Sequence, residues 1–178
     1  VAAYRRDVMN PYASQFALID PASDGDIASY LARSRGIDLP LAHSSTRFQA
    51  DLAVLWQKFH EVLPLRGAQT AVYLLPAPQE VLGGAVRFDG RRDLVILGAE
   101  VMTFALQAGV GGAVFIHHEL AHLHHQQRNR EIRAASRAYF AGNTRNPARL
   151  YQILWLEGFA VFASKLANPT ASSFDMVR

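Results

Sequence analysis

The stretch HHELAHLHHQQ, residues 117–127, carries five of the chain's seven histidines. Within it, His118-Glu119-Leu120-Ala121-His122 spells H-E-x-x-H. On an α-helix, residues four apart project from one face. His118 and His122 can therefore offer two ring nitrogens to one metal ion about 2 Å away. Glu119 sits about a third of a turn round from His118. That is a poor position for sharing the ion and a good one for reaching a water beside it. Metal-assisted hydrolysis needs this division: the ion acidifies water and the carboxylate takes its proton. Ile116, Leu120 and Leu123 form an apolar stripe on the opposite side, while Val114, Phe115 and Ala121 flank the histidine face. The pattern predicts a helix buried along its back that lines a cleft in front.

The other histidines of the stretch read differently. His117 and His124 share a face turned away from the His118–His122 pair and are expected to be solvated. His125 lies seven residues after His118, close to the metal face. The two are then about 10.5 Å apart along a straight helix, too far for one ion with His122 between them. No glycine breaks the helix before His125. His125 is expected to line the cleft or to hydrogen-bond behind the ligands.

A catalytic zinc takes three protein ligands and keeps a fourth position for water. The candidate for the third is Glu157, in LWLEGFAVFAS (154–164). Ile153, Leu154, Trp155, Leu156, Phe159, Val161 and Phe162 surround it, and a carboxylate buried among them is costly unless something compensates. A metal ion offers that compensation. Gly158 and Ala160 beside it are small enough to let this helix approach the histidine helix closely.

Together, HHELAH and WLEGFAVFAS resemble the glutamate zincins, specifically the peptidase MA-like group of zinc-dependent proteases. The resemblance covers roughly residues 46–166. It implies an α+β, zincin-like fold: a small, mainly antiparallel sheet packed on an H-E-x-x-H helix, followed by a helix bearing the glutamate ligand. It implies His118, His122 and Glu157 as ligands of one Zn2+ per chain, with Glu119 as general base. Two departures stand out. Trp-Leu precedes the glutamate directly, one residue shorter than the group's pattern. The Asp that thermolysin-like members carry four residues after the glutamate is Val161 here. A carboxylate that orients a zinc histidine must come from elsewhere, and Glu100 is the candidate.

The rest of the chain fits around these helices. Residues 1–22 read as irregular. Ser23 and Asp26 form a capping box for a short helix with Ile27, Tyr30 and Leu31 on one face, which Gly36 can end. Residues 37–46 read as a linker. From Thr46, Phe48, Leu52, Leu55, Phe59 and Val62 recur at helical spacing until Pro64. The period then changes. AVYLLP (71–76), GAVRF (84–88) and DLVILG (93–98) read as strands, the last two joined by an Asp89-Gly90 hairpin. In a zincin, an edge strand pairs with an extended peptide substrate. Gly84, Ala85 and Val86, following Leu82-Gly83, are the candidate segment; a bulge or bend at Gly83-Gly84 is the alternative. Residues 101–116 read as a short buried helix, a glycine turn and the start of the histidine helix. Residues 130–140 read as a further helix or a continuation. Asn146-Pro147 opens the glutamate helix and Asn168-Pro169 closes it. Residues 1–45 are thus assigned to an N-terminal irregular and short-helix segment, and 46–178 to the zincin-like domain.

Composition narrows the function. The chain has 178 residues, half of them hydrophobic, and no cysteine. Disulfides, thiolate ligands and a cysteine nucleophile are therefore excluded. A net charge of +3 without a basic run beside stacking aromatics argues against nucleic-acid binding. The uncharged run 101–116 is shorter than the roughly 20 residues a membrane span needs, so no transmembrane segment is expected. The compartment is not readable; Val1 in place of Met fits a soluble protein, periplasmic or secreted after processing. The expected activity is zinc-dependent hydrolysis of peptide bonds, in which Glu119 activates a zinc-bound water. The partner is then a peptide or protein substrate. Tyr139, Tyr151, His125 and His60 are all possible donors to the oxyanion. The alternative functions are an inactive zincin-fold protein that binds metal or a partner, and weak metal buffering by a histidine-rich surface.

Overall fold

The computed structural model describes residues 1–19, 22–34, 38–66, 70–76, 83–107, 112–140 and 147–171. The fold is mixed α and β, mostly helical, with one three-stranded sheet. The chain divides into two compact units. One comprises residues 1–50 and 69–108, the other 51–68 and 109–178.

The first unit holds the sheet. Strands β1 (Thr70–Leu75), β2 (Gly84–Phe88) and β3 (Asp93–Gly98) lie in the order β1-β3-β2. Branched apolar residues dominate all three, as half-buried pleated surfaces require. β3 is central, and Leu94, Val95, Ile96 and Leu97 are completely buried. Period-two alternation sends Leu94 and Ile96 to one face, where they pack with Leu75, Phe16 and Ile19. β2 and β3 form the expected antiparallel hairpin. Gly90 takes a positive φ of 95° at its turn, and the Asp89 side chain accepts the backbone N–H groups of Arg91 and Arg92.

β1 and β3 pair in parallel, however. The sheet is thus mixed rather than mainly antiparallel. The reason lies in the connection. A tight turn forces β3 to lie beside β2, whereas the longer link after β1 frees β2 from that constraint. β3 then inserts between them, pointing the same way as β1.

The N-terminal residues are not irregular. Helix α1 (Ala2–Tyr4), a π turn (Arg5–Met9), a 3-10 turn (Asn10–Tyr12) and α2 (Ala13–Phe16) follow one another. Pro11 lacks an N–H, and the chain accommodates it by tightening to the 3-10 form. Helix α3 (Asp24–Arg33) starts at the predicted capping box: Ser23 and Asp26 bond reciprocally. Its buried residues are Ile27 and Tyr30, while Leu31 is exposed. Helix α4 (Asp38–Val62) starts well before Thr46 and takes up the expected linker from residue 38 onward. Pro40 falls in its first turn, where backbone N–H groups have no helical partner anyway. α4 runs through the expected boundary at residues 45/46. α5 (Ala99–Gln107) follows β3.

The second unit is helical: the second half of α4, then α6 (Gly112–Arg128), α7 (Arg130–Phe140) and α8 (Pro147–Ala167). α6 and α7 are separate helices. The Asn129 side chain accepts the N–H groups of Glu131 and Ile132, capping α7. Among the described residues, no helix is long and apolar enough to cross a membrane.

Candidate metal centre

α6 is buried on its back as its pattern predicts. Ile116, Leu120 and Leu123 are almost inaccessible, and so is Ala121. α8 packs along it through Leu156, Ala160, Ala163 and Ala167, all buried at helical spacing. Alanines there bring the two backbones close together. Gly158 takes no part in this approach: it is exposed, and a Cβ at that position would meet nothing within 4 Å.

This packing brings three donor atoms together. His118 Nε2 lies 3.2 Å from Glu157 Oε2. His122 Nε2 lies 3.4 Å from the same oxygen and 3.0 Å from His118 Nε2. Three donors each about 2.0–2.1 Å from one tetrahedral ion must stand about 3.3–3.4 Å apart. The observed triangle matches that size. The 3.0 Å contact between the two imidazole nitrogens is satisfied either by a proton on one ring, donated to the other, or by a cation shared between them. Glu119 is buried and also brings a carboxylate oxygen within 4.8 Å of both histidines. Glu157 touches both imidazoles directly, and Glu119 lies beside them.

The clustered groups shift one another's titration. Burial alone would lower the His118 pKa, but the Glu157 carboxylate, with Glu119 adding to it, raises it overall. Partial burial pushes Glu157 upward, and the two imidazoles outweigh this and hold it far below the usual carboxylate range. The burial argument for Glu157 needs correction. Its side chain is 53% exposed, so desolvation is not what demands a partner. Its apolar neighbours in sequence, Leu154, Trp155 and Phe162, are themselves exposed. The carboxylate is held by the two imidazoles rather than trapped in a core.

His117 also departs from expectation. It is completely buried. Its Nε2–H donates to the Leu55 carbonyl at 2.9 Å, and its Nδ1 accepts from Asn168 Nδ2 at 2.8 Å. The Phe59 ring lies beside it. Burial, the largest influence, keeps its pKa below the usual histidine value. The second half of α4 and the end of α8 cover a face that helix periodicity alone left open. His124 is only partly exposed; its Nδ1 meets the Pro64 carbonyl at 3.1 Å.

His125 is buried against Phe159, with ring centroids 4.5 Å apart. Its Nδ1 and that of His122 are buried without a hydrogen-bond partner among the described residues. No described carboxylate therefore orients His122 through Nδ1. Glu100, the candidate for that task, accepts the Tyr30 hydroxyl hydrogen within the sheet-bearing unit. Of the possible oxyanion donors, His60 accepts the Leu65 N–H through Nδ1 at 3.1 Å. Tyr151 is exposed on α8, and the Tyr139 side chain lies outside the described residues. Gly84, Ala85 and Val86 lie on the edge strand β2, with β3 on one side. Leu82, at the start of that segment, also lies outside the described residues.

No protein-family model, curated protein or solved structure matches this chain.

The sequence gives no sign that Ser164 bonds the Val114 carbonyl, that Asn168 bonds His117 or that Phe159 packs on His125. Asn168 appeared as a helix terminator only, and nothing in the spacing signalled that its side chain turns back to His117.

Proposed function

We propose that the protein is a zinc-dependent peptidase of zincin-like architecture, as the resemblance to the peptidase MA-like glutamate zincins implies. One observation carries this reading: two imidazole nitrogens and a carboxylate oxygen from separate helices converge with spacings of 3.0, 3.2 and 3.4 Å. His118, His122 and Glu157 would hold the ion. When bound, zinc supplies Lewis acidity, which lowers the pKa of water and polarises a carbonyl. The remaining chemistry belongs to the chain. Glu119, one residue from His118, takes a proton from the attacking water and delivers it to the departing amine. Its burial beside the cluster suits a base that must hold and return one proton.

The test is a Glu119→Gln variant assayed on a peptide library beside the wild-type chain, with bound metal measured in both. The peptidase reading expects cleavage by the wild type, a loss on the order of 10²–10⁴-fold in the variant, and equal metal in both. Metal binding without cleavage of any peptide would instead identify a metal-binding or interaction protein.

A further inference from the structure

The donor cluster exists only because α8 lies on α6 in one register. A slip of one residue would move Glu157 by about 1.5 Å along the helix and about 100° around it, and so off both imidazoles. The apolar contact specifies this register weakly. Its α8 side is mostly alanine, at 160, 163 and 167, and alanines offer small, similar surfaces to the opposing grooves.

Three buried polar residues specify it strongly. Ser164 Oγ donates to the Val114 carbonyl at 2.8 Å. By helix geometry, that carbonyl also serves the backbone N–H of His118, four residues on. Asn168 Nδ2 donates both to the Ser164 carbonyl and to His117 Nδ1, each at 2.8 Å. His117 in turn donates to Leu55 on α4. Ser164, Asn168 and His117 are all nearly or fully buried. In another register these groups would be buried without partners, which a buried polar group tolerates poorly. Directional bonds of this kind reject alternatives that apolar packing tolerates.

We infer that the Ser164–Asn168–His117 hydrogen-bond lock sets the register of α8 on α6 and thereby holds Glu157 against His118 and His122. Ser164 and Asn168 are positioning residues; neither belongs to the donor triangle. The consequence for an ion rests on the metal-site reading above, whereas the consequence for the Glu157–imidazole contact does not.

The experiment is a double-mutant cycle on the full chain. Zinc affinity is measured for wild type, Asn168→Leu, Glu157→Ala and the double variant, with helix content and Tm recorded for each. The lock predicts that Asn168→Leu weakens zinc about tenfold or more while the chain stays folded. In the Glu157→Ala background the same change should cost less than about twofold, because the ligand it positions is already gone. Equal losses in both backgrounds, or no loss in either, would overturn it. Should Asn168→Leu fail to fold, Ser164→Ala replaces it, with an expected loss of about threefold and the same background dependence. A second readout needs no metal. Nuclear Overhauser contacts between the His118 ring and the Glu157 methylenes should appear in the metal-free wild type and fade in Asn168→Leu. If the wild type takes up no zinc, the metal reading fails and these contacts alone decide the lock. Contacts that persist unchanged in the variant contradict it.

Discussion

His117 and His118 are adjacent in sequence and opposite in environment. His117 is sealed among α4, α6 and the end of α8, with both ring nitrogens bonded. His118 stands partly exposed, its Nε2 shared among another imidazole and a carboxylate. Burial lowers the pKa of the first, and the neighbouring carboxylates raise that of the second. Two faces of one helix thus use one side chain for two purposes. A buried neutral imidazole with both nitrogens satisfied holds helices together. An imidazole whose nitrogen faces other donors is suited to bind a proton or a metal.

The two faces should fail differently. The largest effect expected on the open face is in turnover: Glu119→Gln lowers peptide cleavage by on the order of 10²–10⁴-fold and leaves Tm and bound zinc near wild type. Next is ligand loss. Glu157→Ala should weaken zinc by at least about tenfold in a competition titration, with little change in metal-free helix content. On the sealed face the readout shifts to stability. His117→Leu should destabilise the chain by about 2–4 kcal/mol in denaturant unfolding, because the Asn168 amide and Leu55 carbonyl lose their partner in a buried site. A His117→Leu chain as stable as the wild type would erase the distinction between the faces.

Acidity should sharpen the contrast. The pKa of His117 is depressed in the fold, so its contribution to stability is complete above the ordinary histidine value of 6.5 and is lost as pH falls toward its lowered value. His118 and Glu157 define a different window. The raised His118 pKa makes its contribution complete below 6.5 and lost as pH rises through the raised value. The depressed Glu157 pKa makes its contribution complete above 4.5 and lost only in stronger acid. In metal-free protein, the Tm difference between wild type and Glu157→Ala should therefore be greatest between pH 4.5 and 6.5 and shrink above that range. With zinc present, protons compete for the same nitrogen. As pH is lowered, affinity should therefore start to drop at a higher pH in the wild type than in Glu157→Ala, because the Glu157 carboxylate raises the pKa of the competing His118 nitrogen. The smallest effect belongs to His124. It is part-exposed, and Arg128 also donates to the Pro64 carbonyl it contacts. His124→Ala should cost about 0.5–1 kcal/mol.

The imidazole pair of the donor triangle was legible in sequence because it follows from local rules, whereas its meeting with Glu157 depends on how α8 packs on α6. Four-residue spacing puts two imidazoles on one face, and a lone carboxylate within an apolar helix stands out. The Asp89-Gly90 hairpin and the Ser23 capping box were readable for the same reason. Properties set by tertiary covering were not. The burial of His117 depends on how the second half of α4 and the end of α8 pack against α6, which helix periodicity does not encode. The exposure of Leu154, Trp155 and Phe162 depends on what packs against α8, which composition does not encode. The parallel pairing of β1 with β3 depends on how far one connection reaches. Asn168 illustrates the limit most plainly: an Asn-Pro pair signals the end of a helix, and its backbone does that, while its side chain reaches back some fifty residues in sequence.

The most direct measurement is zinc content after exhaustive dialysis, by elemental analysis of the wild type beside Glu157→Ala, with X-ray absorption at the zinc edge on the loaded wild type. The account predicts one zinc per chain, retained by the wild type and lost from the variant. It also predicts an edge spectrum of two imidazole nitrogens plus light oxygen donors at about 2.0–2.1 Å. A wild type that holds no zinc, or a variant that holds it as tightly with the same spectrum, would contradict the convergence of these two helices on one ion.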